Sequence, residues 1–142
     1  MQNSAVPPAA AQLGYAGLLP FAALVVGSIA GFEWASNGLM FYGALILSFM
    51  GGCRWGFAAA PLGAGPAFRP LAISVLPALY AWCALMLPFR AAALTLAAGF
   101  FILFLADRAL TLQGGAPAWW TALRLPLTLG AVASLVIGGI VG

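Results

Sequence analysis

The chain of 142 residues contains no lysine and no histidine, and its acidic residues are two, Glu33 and Asp107. Without histidine it lacks the commonest general base and the commonest metal and haem ligand, so catalysis of the usual kinds is disfavoured. Cys53 and Cys83 stand alone in apolar runs with no CxxC spacing. They read as two small buried thiols rather than a disulfide or a metal site, and no metal or cofactor is expected. Positive charge rests on Arg54, Arg69, Arg90, Arg108 and Arg124, for a net charge of +3. That is too little, and too scattered, for the clustered basic face that nucleic-acid binding requires.

What the chain does have is apolar length. Hydrophobic residues make up 65% of the sequence and charged ones 5%, with a mean hydropathy of +1.11. A soluble domain carries about a quarter charged residues, so this composition belongs to a membrane protein. A bilayer core takes about 20 apolar residues per helix. The sequence divides into five such runs, at about 12–32, 38–60, 70–87, 91–112 and 118–141, behind a polar, Pro/Ala-rich tail at 1–11. The expected fold is all-α, a single polytopic bundle of five transmembrane helices.

The punctuation supports these boundaries. Residues 33–37 are a polar stop, 61–69 a Pro/Gly loop, and Pro88 with Arg90 closes the third run. Gln113, Gly114, Gly115 and Pro117 suit a helix end followed by a helix start. Short connections make neighbouring helices antiparallel. The tail has no positive region ahead of an apolar core, so it is not read as a cleaved signal peptide. With the N-terminus inside, Arg54, Arg69, Arg108 and Arg124 gather on that side and Arg90 lies opposite. The positive-inside rule then makes the N-terminal side cytoplasmic and the C-terminus external.

Arg54 is the residue that most needs an explanation. It interrupts the apolar run 42–56, and an arginine at a helix centre costs about 2.5–3.5 kcal/mol on insertion scales. It sits about six residues from the inner end of its helix, roughly 9 Å at 1.5 Å per residue. Asp107 and Arg124 fall at similar depths in the fourth and fifth helices. A carboxylate can pair bidentately with an arginine, offsetting part of each group's desolvation. Asp107 is therefore expected to pair with Arg54 or Arg124, within an intramembrane polar cluster that also takes in Arg108. Such a cluster is either an internal pair that sets helix register or a site for a ligand or proton.

Trp55, Trp119, Trp120 and Tyr42 are candidates to surround it. They fit an interfacial aromatic belt, or an aromatic wall beside a basic pocket for a lipid headgroup or quinone. Ser48 is expected to bond back to the carbonyl of Ala44 or to reach a neighbouring helix. Gly51, Gly52 and Gly56 offer a close-packing face, within the chain or between copies. Pro20, Pro77 and Pro126 are expected to kink their helices, which transporters can use for binding or hinging.

At these residues the chain resembles a family of small bacterial and mitochondrial inner-membrane proteins that includes the transmembrane protein 69 type. The resemblance rests on segments 13–20, 42–56 with its Gly-Gly-x-x-Trp-Gly pattern, 74–82, Asp107, and 117–128 with Trp119, Trp120 and Arg124. It implies a multi-pass protein of the bacterial inner membrane and an energy-membrane setting, and it brings no activity with it.

Three functions are compatible with these features. The first is an accessory or assembly subunit that packs against a larger membrane complex, or a homo-oligomer, and holds membrane lipid or quinone at the seam. The second is an oligomeric transporter or ligand-binding protein for a small molecule or lipid. The third, a membrane enzyme, leaves too few catalytic roles filled, since Asp107 would be the one base.

Overall fold

The structure, a computed structural model, describes residues 5–60 and 67–142. Residues 1–4 of the expected tail and 61–66 of the expected loop lie outside the described residues. Among the described residues six helices follow in order: α1 (Pro8–Ala16), α2 (Leu18–Ile29), α3 (Glu33–Ala59), α4 (Phe68–Leu85), α5 (Phe89–Leu112) and α6 (Trp120–Val141). The first two form one apolar segment, Pro8–Ile29, and with the other four they make five helices long and apolar enough to cross a membrane. The chain is an all-helical, polytopic transmembrane bundle.

Several boundaries differ from those expected. The first segment starts at Pro8, because proline suits the opening turn of a helix. The polar residues 33–37 do not separate two helices; they form the first turn of α3, with Glu33 at its favoured N-terminal place. The break near the N-terminus falls at Gly17, and Pro20 lies in the first turn of α2 rather than kinking a helix interior. Pro77 and Pro126 do lie inside α4 and α6.

Two glycines are required by backbone geometry. Gly31 and Gly114 adopt φ of 91° and 81° two residues past the ends of α2 and α5. At each, the amide three residues past the helix bonds back across the turn, Phe32 to Gly27 and Gly115 to Leu110, both at 3.0 Å. These are Schellman endings, in which glycine takes the left-handed position without a Cβ penalty.

Inside the bundle small residues sit among large ones such as Phe21, Leu39, Leu96 and Phe100, and the lipid-facing outside is mostly large. Ala35, Ala81, Ala84, Ala92, Ala93 and Ala131 are buried, whereas Phe41, Leu45 and Phe49 project outward from one face of α3. In lipid, apolar side chains gain little by hiding from one another, so small residues that let backbones approach occupy the contacts. Gly51 is such a contact: a Cβ there would lie 2.6 Å from the carbonyl oxygen of Ser74 and 3.1 Å from Pro77. Gly52 and Gly56 have nothing within 4 Å and face outward, so the expected packing face reduces to Gly51 within the chain. Cys83 is exposed on the outer face and Cys53 is half-buried, which corrects the reading of both as core thiols. Tyr80 donates to the carbonyl of Thr95 at 2.7 Å, tying α4 to α5.

The helices alternate in direction. One end of the bundle brings the starts of α3 and α5 and Gly142, the residue after α6, together around Glu33, Asn37 and Arg90. Arg54, Asp107 and Arg124 meet towards the other end.

Candidate functional site

α3, α5 and α6 each deliver one charge to a common point. Asp107 is fully buried; its Oδ1 accepts from Arg54 Nη1 at 2.7 Å and its Oδ2 from Arg124 Nε at 3.0 Å. Trp120 Nε1 adds a third donor, 3.2 Å from Oδ2. The sequence suggested a bidentate pair with one arginine. Instead the carboxylate divides its two oxygens between two arginines, because they approach from different helices.

That division has a consequence for Arg124, which is 1% exposed. Its Nε goes to Asp107 and its Nη1 donates to Thr128 Oγ1 at 3.0 Å, while Nη2 has no hydrogen-bond partner. Trp120, Arg124 and Thr128 are spaced four apart, so one face of α6 carries all three. Thr128 was not singled out from the sequence, although that spacing from Arg124 could have found it. Arg54 retains 11% side-chain exposure and is the more accessible of the two cations.

The other expected members take different places. Arg108 follows Asp107 by one residue, so the helix turns it about 100° away, and it is exposed outside the cluster. Trp55, next to Arg54, points outward for the same reason and is 49% exposed. Trp119 packs edge-on against Trp120 with ring centroids 6.1 Å apart, and Phe57 closes Trp120's other neighbourhood at 5.0 Å. Tyr42 does not reach the cluster. It donates to the Gly17 carbonyl at 2.8 Å and meets Phe21 edge-on, holding the α1–α2 break against α3. Ser48 bonds back to Ala44 at 2.8 Å, as expected.

Two cavities flank the network. One of about 330 Å³ lies between α1, α3 and α6 and is lined by Leu13, Phe49, Cys53, Trp119, Arg124 and Leu127 among others. A second of about 190 Å³ lies between α3, α4 and α5, bounded by Arg54, Pro77 and Tyr80. Each arginine thus borders a different cavity, with Asp107 between them. Among the described residues no group of three or more metal-ligating side chains occurs.

Fold and site together define a multi-pass membrane protein with a buried, net-positive ion network at one end of its bundle. Residues 6–140 match the family described as "Protein of unknown function (DUF3429)", and the chain belongs to that family. It is 41% identical over 138 residues to "Transmembrane protein 69" of Xenopus tropicalis, covering 92% of this chain and 53% of that protein. To "Transmembrane protein 69" of Mus musculus it is 36% identical over 137 residues, covering 92% and 55%. The chain therefore spans about half the length of these curated relatives. No solved structure matches it.

Proposed function

We propose that the chain is a non-catalytic accessory or assembly subunit of an energy-transducing complex in the bacterial inner membrane, with its N-terminus cytoplasmic and its C-terminus external. Its polar cluster contacts lipid or quinone near the cytoplasmic side. The observation that carries this reading is the Arg54–Asp107–Arg124 network, net positive and bordering a cavity with an almost wholly apolar lining. A general base needs a free lone pair within reach of a substrate proton. Asp107 is fully buried, its oxygens face two arginines and an indole, and it lines neither flanking cavity, which keeps a substrate proton out of its reach and favours a binding and fitting role over catalysis. The outward Gly52 and Gly56 leave a smooth strip of α3 against which another membrane helix could lie closely.

The test is gentle-detergent purification of the tagged wild type and of Asp107→Asn, followed by mass spectrometry of co-purifying proteins and lipids. Wild type should bring down a respiratory or photosynthetic complex that the variant loses. A lone wild-type chain would sink the subunit reading. The two cavities on opposite sides of one ion network favour a second reading, an oligomeric lipid or small-molecule transporter. Loss of uptake with every complex still assembled would select it.

A further inference from the structure

We propose that the cavity beside Arg124 binds an anionic lipid, one hydrocarbon chain entering between α1 and α3 and an oxyanion head, carboxylate or phosphate, accepting from Nη2 of Arg124. The proposal deepens the ligand side of the function above and rests on reading the cluster as ligand-contacting. It starts from the unpartnered Nη2 of a residue that is 1% exposed. Buried polar groups nearly always have partners, and an exception calls for an explanation. A bridging water would need two to four polar partners. Apart from Arg124, the Cys53 thiol and the indole N–H of Trp119, the lining is aliphatic and aromatic, and the indole N–H of Trp120 is already given to Asp107. The strong groups left are all donors, which suits an anion better than a water.

Charge decides the kind of acceptor. Two arginines share one carboxylate, and the other acid, Glu33, lies at the opposite end of the bundle. One anion would neutralise the network, and a buried charge is tolerated when it is paired. A neutral carbonyl, as in a quinone, would satisfy the N–H and leave the charge.

Access and depth fit the same ligand. Among the described residues no Cα of α1 comes within 8 Å of α3, although α2 packs on α3 directly. The gap that this leaves is the cavity, with exposed Leu13 on α1 and exposed Phe49 on α3 beside it. About 330 Å³ is near the lower end of ligand-site volumes, room for part of one chain, while the rest of a larger lipid stays in the bilayer. Arg124 sits four residues into α6, roughly 6 Å from its start, close to the level of lipid headgroups and ester groups.

The full chain, purified and stripped of lipid in detergent, would be incubated with palmitate, with phosphatidylglycerol or with a long-tailed benzoquinone, and the bound species read by native mass spectrometry. Wild type should retain one molecule of palmitate or phosphatidylglycerol, and the better-retained probe identifies the head. Arg124→Gln should lose retention about tenfold or more. Because that change also strips Asp107 of a partner and could unfold the bundle, Ala10→Trp provides a second arm. It fills the cavity from α1 without touching the ion network, and it should lose retention while helicity and elution volume stay as in wild type. Undiminished retention in Ala10→Trp, no retention by wild type, or preference for the quinone overturns the proposal. The chain is tested alone, so a missing protein partner cannot be mistaken for a missing lipid.

Discussion

Arg54 Nη1 reaches Asp107 Oδ1 at 2.7 Å across 53 residues of sequence, joining the C-terminal part of α3 to that of α5. With Arg124 on the other oxygen, one carboxylate bridges three helices. Removing its charge leaves two cations facing each other in a low-dielectric interior. Breaking a buried pair costs about 3–5 kcal/mol. Asp107→Asn should therefore lower the stability of the detergent-solubilised protein by several kcal/mol, read from denaturant or thermal unfolding followed by far-UV circular dichroism. An unchanged midpoint would show that the network does not hold the helices together.

The contact of Gly51 with α4 predicts a contrast between neighbours. Any Cβ at residue 51 meets the Ser74 carbonyl, so Gly51→Ala should push α3 from α4 and cost about 1–3 kcal/mol, the range for overpacking. At Gly52, where nothing lies within 4 Å, the same substitution should be neutral or slightly stabilising, since alanine favours helix by up to about 1 kcal/mol. Unfolding of the two variants side by side checks the difference. Equal effects would refute the assigned packing.

Tyr42 secures the break between α1 and α2 through the Gly17 carbonyl. Tyr42→Phe keeps the edge-on contact with Phe21 and loses the hydrogen bond, at a net cost of about 0.5–1.5 kcal/mol. The loss should be local: amide hydrogen exchange should quicken in α1 and leave α5 unchanged. Uniform quickening would mean that the bond supports the whole bundle.

The proposed orientation can be read with single cysteines placed in a background lacking Cys53 and Cys83. Gln113, after α5, and Ala30, after α2, are exposed and lie at opposite ends of the bundle. With the N-terminus cytoplasmic, Gln113→Cys should react with an impermeant maleimide in inverted vesicles, and Ala30→Cys in right-side-out ones. The reverse pattern would invert the topology inferred from the arginines.

The five membrane segments were legible because length and hydropathy are local properties, and a bilayer demands about 20 apolar residues whatever the fold. The meeting of Arg54, Asp107 and Arg124 was also legible, since depth along a helix can be counted residue by residue. Rotation about each helix was not. Arg108 and Trp55 sit one residue from cluster members and turn away, while Gly52 faces outward beside the buried Gly51.

The amino-acid sequence by itself determined that this is an all-helical membrane bundle carrying buried charge at one depth, because those features follow from composition and a rise of about 1.5 Å per residue. Only the tertiary structure decided which faces meet. It divides the two oxygens of Asp107 between two helices, leaves Nη2 of Arg124 without a partner, and opens a gap between α1 and α3 beside it. The physical reason is that packing selects the rotation of each helix through contacts between small residues far apart in sequence, and those contacts exist only once the bundle has formed.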